Sequence, residues 1–294
     1  MFLPNKKLFS WIGGKQWMSK ELVTVTSKFE FKQYAEPFCG GLGSFLAVAP
    51  VLIEKECTSV RLNDINSAMV GTYLHISQGY TKLLAILTDL EQKFTPFLIG
   101  STTDELRGAE TYFNQIKREF NSLKKSDPLS VETSARFMFL MFHCFNGIYR
   151  ENGSGEFNVP FNWKVKGGNL STLAQWHQFF SQFNIEFTSV DAFDFIDANI
   201  HNAPLFYFDP PYANESTGTN KYSKISFGQQ EQIALLNQVA GTNSVYSNHD
   251  IPFIRDFLVT AQIPYQYLQR ANTISSKGTS RSTKKMEILA WHQC

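Results

Sequence analysis

The stretch LFYFDPPYAN (residues 205–214) decides the fold, because an apolar run ends abruptly in an aspartate, two prolines and a tyrosine. The strand-forming residues before Asp209 predict a buried strand, and proline, which has no backbone N–H, stops it. In open α/β sheets, ligands bind beside the carboxyl ends of the strands. We therefore expect residues 209–212, called here the DPPY turn, to form a binding site at the edge of a sheet.

The DPPY turn has the chemistry of a hydrogen-bond acceptor cluster. Its prolines contribute carbonyl groups but no amide donors, and the Asp209 carboxylate adds further acceptors. Such a cluster suits an exocyclic amine, and the ring of Tyr212 offers a stacking face for the base that carries the amine. We predict that Asp209, Pro210, Pro211 and Tyr212 are catalytic. The alternative, that proline merely ends an edge strand, explains one proline but not the tetrad.

Further strand-like runs with turn signals occupy both ends of the chain. They lie at residues 31–38, 59–66, 185–190, 204–209, 243–248, 264–269 and 286–291. Helical patterns separate several of them, such as QQEQIALLNQVAG (229–241), in which Gly241 is a natural C-terminal stop. This alternation of strands and helices predicts an α/β fold with a parallel sheet.

The middle of the chain has a different pattern. Between Asn66 and Ile185 the sequence is helical for about a hundred residues. Four helical patterns, the last of them SARFMFLMFHCFN (134–146), precede the Gly-, Asn- and Pro-rich stretch NGIYRENGSGEFNVPFNW (146–163). We predict an inserted domain at residues 67–184, between catalytic-domain segments at residues 1–66 and 185–294.

Two features of the first segment indicate a cofactor with an adenosine group. AEPFCGGLGSF (35–45) places three glycines between a predicted strand and a helix, which allows a ligand close to the backbone. Asp64 follows the second strand, where a carboxylate can accept hydrogen bonds from a ribose. The glycines lack both the G-x-G-x-x-G spacing and a following GK[ST]. Alternatively, the loop is a strand-to-helix turn that binds nothing, and Asp64 is a turn or helix-cap residue.

Composition narrows the class of protein. The 294 residues are 43% hydrophobic and carry a formal net charge of +1. The chain is therefore not strongly basic, so its net charge alone does not indicate nucleic-acid binding. Residues 1–34 carry six cations against two anions, and residues 269–294 carry five against one. These basic ends suit phosphate contacts, although solvated faces are the commoner meaning of such runs.

No predicted segment indicates a membrane protein or a metal site. Apolar runs fall short of the roughly 20 residues that a membrane helix needs, and the first residues do not have a signal-peptide pattern. We expect a cytoplasmic protein. The four cysteines are far apart without CxxC spacing, so neither a disulfide framework nor a zinc site is predicted.

Seven ordered blocks of sequence together resemble the DNA adenine methylase family, the Dam-like, D12-class group of adenine-N6 DNA methyltransferases. These blocks span nearly the whole chain. They are FSWIGGK (9–15), EPFCGGLGS (36–44), LNDIN (62–66), FNGIYR (145–150), GEFNVPF (155–161), DPPY (209–212) and SNHD (247–250).

The resemblance implies a fold and a reaction. The fold is a doubly wound, mostly parallel Rossmann-like sheet with an antiparallel last strand and an inserted helical target-recognition domain. The reaction transfers a methyl group from S-adenosylmethionine to N6 of an adenine that has been flipped out of double-stranded DNA. Positions implied to bind the cofactor are Trp11, Lys15, Pro37, Phe38, Gly40, Ser44, Asp64, Asp191 and Asp209.

DNA contacts are expected from the loop at residues 146–166 and from the C-terminal basic block. The candidates are Arg150, Asn152, Asn158, Lys164, Lys166, Arg281, Lys284 and Lys285. Family members that read GATC have cations where this chain has Ser10 and Ser154, so we do not predict GATC recognition. The resemblance leaves room for a cognate restriction endonuclease that acts separately.

Three other functions remain open from the sequence. The acceptor cluster also fits methyl transfer to N4 of cytosine. A catalytically silent DNA-binding module would still have the basic ends, but it would not need Asp209 and Tyr212. A nicotinamide oxidoreductase is the generic function of a doubly wound sheet, and binding of NAD rather than S-adenosylmethionine would identify it.

Overall fold

The computed structural model describes residues 1–98, 103–164, 167–202, 204–213, 227–269 and 286–294. Its strands are β1 (Gln33–Glu36), β2 (Ser59–Asn63), β3 (Asn184–Thr188), β4 (Leu205–Phe208), β5 (Ser244–His249), β6 (Tyr265–Gln269) and β7 (Met286–His292). Its α-helices are α1 (Ser19–Thr26), α2 (Gly43–Glu54), α3 (Ser67–Gly79), α4 (Thr81–Phe94), α5 (Thr103–Ser126), α6 (Val131–His143), α7 (Thr172–Phe180), α8 (Ala192–Asn199), α9 (Gln229–Ala240) and α10 (Pro252–Thr260).

The seven strands form one sheet in the order β3-β2-β1-β4-β5-β7-β6. β4 is parallel to both β1 and β5, whereas β7 is antiparallel to both β5 and β6. The predicted strands and the predicted mostly parallel α/β sheet with an antiparallel last strand are confirmed. After β3 the chain returns to the other side of β1, so the strand order reverses between β1 and β4. Such a switch point is where doubly wound sheets bind ligands.

The side chains of β4 alternate between two environments, as the two-residue period of a strand requires. Phe206 and Phe208 enter a buried apolar cluster that also contains residues of α8, α9 and α10. Leu205 and Tyr207 point to the other face and are buried as well. Burial on both faces explains why the strand is an uninterrupted apolar run in the sequence. It also directs Asp209, the next residue in this alternation, to the Tyr207 face.

Two compact units divide the described residues. One comprises Met1–Gly14 and Leu62–Asp191, and the other comprises Lys15–Arg61 and the described residues after position 191. In the first unit, α3, α4 and α5 all pack against α6. Helix α6 is buried around most of its circumference, and its second half is the continuous apolar run FMFLMF (137–142). The assignment of residues 67–184 as a target-recognition domain remains a prediction.

Two predicted elements end earlier in the structure than in the sequence pattern. The helix predicted from the pattern at 134–146 extends too far, because α6 ends at His143. Cys144 is extended and forms an isolated bridge with Phe161, and Asn146 has a positive φ of 56°. The strand within 59–66 ends at Asn63, because the following turn begins α3. Among the described residues, no helix is both long enough and apolar enough to span a membrane.

The apolar cluster on β4 makes a stability prediction. Phe208 is fully buried, so Phe208→Ala should lower the free energy of unfolding by about 3–5 kcal/mol through lost burial and a residual cavity. Ile233→Ala is the control, because Ile233 lies on α9 with 42% exposure, and it should change the value by no more than about 0.5 kcal/mol. Urea unfolding measures both. Equal effects of the two substitutions would contradict the assignment of this cluster as the core.

Candidate active site

An ion pair lies at the carboxyl end of β4. The Nζ atom of Lys15 is 2.7 Å from Oδ1 of Asp209, and the two side chains are only 4% and 16% exposed. The same Nζ atom is 4.4 Å from the centroid of the Tyr212 ring. A positive charge is therefore held between a carboxylate and an aromatic face, both of which attract cations.

The two oxygens of Asp209 have different surroundings. Oδ1 receives Lys15 and also accepts a hydrogen bond from the Ser247 hydroxyl at 3.0 Å. Oδ2 accepts no hydrogen bond from the residues that the structure describes. Burial raises the pKa of Asp209, and the nearby Lys15 charge and the hydrogen bonds from Lys15 and Ser247 act in the opposite direction. The pair thus fixes one oxygen and leaves the other available.

Tyr212 is fixed by contacts at both its hydroxyl and its ring. The hydroxyl donates to Oε2 of Glu287 on β7 at 2.7 Å, and the ring packs edge-on against His249, with centroids 4.5 Å apart. Burial raises the pKa of the phenol well above its ordinary value. Tyr212 therefore stays neutral, and its ring is held in one orientation.

Buried amides hold the rest of the DPPY turn. The side chain of Gln232, on α9, donates to the Pro211 carbonyl at 2.7 Å. Asn248 donates to Gln232 at 3.1 Å and accepts from the backbone N–H of Ala213 at 3.2 Å. The Pro210 carbonyl accepts no hydrogen bond from the described residues. Among the described residues, the Pro211 carbonyl therefore has a protein donor and the Pro210 carbonyl does not.

Strand register brings several further polar groups to this face of the sheet. Ala35 pairs with Phe206, Phe208 pairs with Tyr246, and His249 pairs with Glu287. One further step of these registers aligns Glu36 with Tyr207 and Asp209 with Ser247. Four of these residues, Glu36, Tyr207, Ser247 and Glu287, have no role predicted from the sequence. The signal was the two-residue period, which puts each on the same face as Asp209 once the register is known.

The glycine loop follows β1 directly and leads into α2. Gly40 has a φ of +45°, which favours glycine, and buried Leu42 also adopts a left-handed conformation with φ of 60°. Pro37 and Phe38 begin the loop, and the Phe38 ring packs edge-on against Phe227 with centroids 5.5 Å apart. These candidate cofactor residues lie at the switch point between β1 and β4.

A buried carboxyl group, that of Glu36, lies at the start of this loop and is hydrogen-bonded to residues on both sides of it in the sequence. Glu36 is fully buried and accepts hydrogen bonds from the Tyr34 hydroxyl at 2.6 Å and from the Ser44 hydroxyl at 2.8 Å. Burial raises the pKa of Glu36 to about 8, despite the opposing effect of these two donors. Ser44, which the resemblance implies to be a cofactor residue, thus has a structural partner, and its cofactor role remains a prediction.

The remaining cofactor candidates lie in the other unit. The ring of Trp11 stacks on Tyr149, with centroids 5.7 Å apart and planes inclined by 27°. Asp64 follows β2, and its Oδ1 accepts the backbone N–H of Asn66 at 2.9 Å. Asn66 in turn caps α3 by accepting from the N–H of Met69 at 3.1 Å. The helix cap is therefore Asn66, whereas Asp64 closes a turn, as its other alternative role required, and its ribose contact remains a prediction.

Asn63 organises the segments that carry the two carboxylate candidates. Its amide donates to the carbonyl of Val190 at 3.0 Å, and its Oδ1 accepts from the Val190 N–H at 3.0 Å. This links the residue before Asp64 to the residue before Asp191, across the ends of β2 and β3. The role of Asn63 was not predictable from the sequence, because a buried asparagine at a strand end has no distinctive local pattern.

The DNA-contact candidates partly bond to one another. Arg150 Nε donates to Oδ1 of Asn158 at 2.8 Å. Oδ1 of Asn152 accepts the backbone N–H groups of Ser154 and Glu156, so it closes the turn of this loop. Lys164 is exposed. Lys166, Arg281, Lys284 and Lys285 lie outside the described residues, and all of these DNA-contact roles remain predictions.

Within the described ranges, no group of three or more His, Cys, Asp or Glu side chains is arranged to hold a metal ion. The site as described is built instead from hydrogen-bond acceptors, one buried cation and aromatic faces. These groups can bind a planar base that carries an amine.

Comparison with known proteins gives concordant matches. A family model described as D12 class N6 adenine-specific DNA methyltransferase matches residues 11–272. Type II methyltransferase M.MjaIII from Methanocaldococcus jannaschii is 30% identical over 242 residues, 78% of each chain. Type II methyltransferase M1.LlaDCHI from Lactococcus lactis subsp. cremoris is 23% identical over 290 residues, 95% of this chain and 92% of the relative. The DNA adenine methylase of Escherichia coli strain K12 is 28% identical over 296 residues, 98% and 96% of the two chains.

The buried Glu36 predicts a pH dependence of stability. Its pKa in the folded protein is about 8, above the ordinary 4.5, so the folded state binds the proton more tightly. The associated stabilisation is complete below the ordinary value and is lost as the pH rises through about 8. The free energy of unfolding should therefore fall over this interval, and Glu36→Gln should make the fall less steep.

Urea unfolding at a series of pH values measures this effect. Glu54→Gln is the matched control, because Glu54 is an exposed glutamate on α2 in the same unit, and its slope should equal that of the unsubstituted protein. An unchanged slope for Glu36→Gln would show that Glu36 is not the titrating group.

Proposed function

Because the chain belongs to the D12 class of N6 adenine-specific DNA methyltransferases, we propose that its DPPY turn binds the target adenine and that S-adenosylmethionine is the methyl donor. The protein is an enzyme that acts on DNA. Family membership favours adenine methylation over the three alternative functions, namely cytosine methylation, DNA binding without catalysis and oxidoreduction. The proposal therefore concerns which residues bind the substrates and catalyse the transfer.

One observation carries the proposal, namely the unequal surroundings of the two Asp209 oxygens. Lys15 and Ser247 both contact Oδ1, and Oδ2 has no partner among the described residues. Oδ2 and the Pro210 carbonyl are then two acceptors for the two hydrogens of an exocyclic amine. Tyr212 follows them directly, and its ring is fixed by Glu287 and His249.

The site also suits the proposed cofactor. S-adenosylmethionine supplies a methyl group on a positively charged sulfur. The Asp209 carboxylate and the face of the Tyr212 ring are both groups that attract positive charge, which suits such a donor. We propose that Lys15, the loop residues Pro37, Phe38, Gly40 and Ser44, and Trp11, Asp64, Asp191 and Asp209 hold the cofactor.

Positioning and electrostatics would supply most of the catalysis. When Asp209 Oδ2 and the Pro210 carbonyl accept the two N6 hydrogens, the N6 lone pair is free to attack. As the bond from N6 to the methyl group forms, the bond from that methyl group to sulfur would break. The carboxylate would stabilise the positive charge that develops on N6, and this charge would be lost when one N6 proton passes to solvent. Tyr212 stacks on the adenine ring and keeps the amine in the plane of its acceptors. No covalent bond to the protein is required.

The target adenine must leave the helix to react, so we propose double-stranded DNA with a flipped adenine as the substrate. Residues 67–184 would recognise the target, with the loop at 146–166 contacting DNA. Exposed Lys164 suits a phosphate contact, and the Arg150–Asn158 pair could bind either base edges or phosphate. Two relatives are named as type II methyltransferases, which supports a restriction partner that acts separately. The cytoplasmic location expected from the sequence remains a prediction.

Substitution of Asp209 tests the proposal. The chain is expressed in a host that lacks adenine methylation, and the host DNA is sequenced by a method that detects modified bases. The unsubstituted protein should produce N6-methyladenine at one sequence motif. Asp209→Ala and the isosteric Asp209→Asn should each lower methylation by at least about 100-fold, because the N6 acceptor and its charge are lost.

Asp197→Ala is the control, since Asp197 is an exposed carboxylate on α8 in the same unit, and its activity should be unchanged. Circular dichroism establishes that each variant is folded. Near-normal methylation by folded Asp209→Asn would overturn the assignment. Methylation of cytosine N4 instead of adenine would overturn the proposed target.

A further inference from the structure

We propose that Ser247 and Tyr207 are positioning residues, which act in series to orient the catalytic carboxylate of Asp209. This inference rests on the proposed role of Asp209 as the acceptor of the adenine amine. Neither residue contacts the substrate in this proposal. Both act through Oδ1 of Asp209, whereas the substrate uses Oδ2.

Tyr207, Ser247 and Asp209 form a series of two hydrogen bonds, here called the Tyr207–Ser247–Asp209 series, and the direction of each bond can be assigned. The Ser247 hydroxyl donates to Asp209 Oδ1 at 3.0 Å, and the Tyr207 hydroxyl lies 2.9 Å from the Ser247 Oγ atom. A serine hydroxyl has one hydrogen, and a carboxylate paired with Lys15 can only accept. Since Ser247 uses its hydrogen on Asp209, Tyr207 must donate to Ser247. The series therefore runs from Tyr207 through Ser247 to Asp209.

Two neighbouring strands hold the Tyr207–Ser247–Asp209 series rigidly. Tyr207 is on β4 and Ser247 is on β5, and their side chains are 2% and 0% exposed. Tyr207 pairs with Val245 in the parallel register, so Ser247 is two residues further along the same face. Neither hydroxyl can exchange its partner for water without opening the sheet. Buried hydroxyls without partners are costly, so each of the two constrains the other.

The Tyr207–Ser247–Asp209 series affects both the orientation of the Asp209 carboxylate and its ionisation. A carboxylate held at Oδ1 by two donors, Ser247 and Lys15, cannot rotate freely, so Oδ2 keeps one direction. Tyr207 polarises the Ser247 hydroxyl and strengthens its bond to the carboxylate. Hydrogen bonds to the ionised form favour that form, which opposes the effect of burial. Besides Lys15 and Tyr207, the titratable groups of the described residues that interact with Asp209 include Glu36, Glu287, Tyr212 and Tyr246.

A purely structural role makes different predictions. If the two hydroxyls only stabilised the sheet, their loss would lower the free energy of unfolding but would leave the chemical step unchanged in folded enzyme. If they position Asp209, their loss slows methyl transfer at saturating substrates. It also moves the acidic limb of the pH profile of kcat, because the carboxylate becomes harder to ionise.

The test measures kcat, the KM for DNA and the pH profile of kcat in purified full-length variants. Ser247→Ala should lower kcat on the order of 10-fold, with little change in KM, and should move the acidic limb to higher pH. Ser247→Thr keeps the hydroxyl on a strand residue and should restore most of the activity. Tyr207→Phe should have a smaller effect in the same direction.

Ser244→Ala is the matched control. Ser244 is equally buried on β5, but its hydroxyl donates to the carbonyl of Val239 at 2.9 Å and not to Asp209. Its loss should leave kcat and the acidic limb unchanged. The double variant Tyr207→Phe/Ser247→Ala should match Ser247→Ala alone, because Tyr207 acts only through Ser247.

The outcomes separate this inference from the proposed function. Wild-type kcat and an unmoved acidic limb in folded Ser247→Ala, with an inactive Asp209→Asn, would overturn the positioning role but keep the role of Asp209. An active Asp209→Asn would overturn both. If Ser247→Ala fails to fold, Tyr207→Phe decides, because it retains the bond from Ser247 to Asp209. An unchanged profile in Tyr207→Phe would then contradict the series.

Discussion

The pairing of a buried carboxylate is the constraint on which the rest of the site depends. Asp209 lies at the carboxyl end of β4, where the strand is buried on both faces, and an unpaired charge there would cost several kcal/mol. Lys15 and Ser247 provide the pairing through one oxygen, and Tyr207 supports Ser247 from the same face of the sheet. The other oxygen has no partner among the residues that the structure describes, so the same arrangement that stabilises the fold would also leave an acceptor for an amine.

The local features of the fold were readable from the sequence. Short β-rich runs with turn signals predicted all seven strands, and the helical periods predicted α3 to α6 and α9. Burial on both faces gives β4 its uninterrupted apolar run, whereas β3 and β6 are partly exposed and contain polar residues. The DPPY turn was identified because its prolines and carboxylate are adjacent in the chain. The family resemblance then implied the reaction, and the comparisons confirm the family.

The contacts that complete the site were not readable, because they join residues that are distant in sequence. The resemblance implied that Lys15 and Ser44 bind the cofactor, yet the structure pairs Lys15 with Asp209 and Ser44 with Glu36. Ser247, Tyr207, Glu287 and Asn63 owe their contacts to strand register and loop packing, which no local pattern encodes. The end of α6 was misplaced for a similar reason, since the bridge from Cys144 to Phe161 overrides an apolar pattern that continues past His143.

The most direct measurement is a crystal structure of the full chain in complex with the demethylated cofactor product and duplex DNA. The duplex contains the target motif of the enzyme before methylation. Our account predicts a flipped adenine with its N6 atom about 2.7–3.2 Å from both Asp209 Oδ2 and the Pro210 carbonyl. Asp209 Oδ1 should remain bonded to Ser247, and the Tyr212 ring should stack on the base. A flipped adenine whose N6 atom contacts neither acceptor would contradict the account.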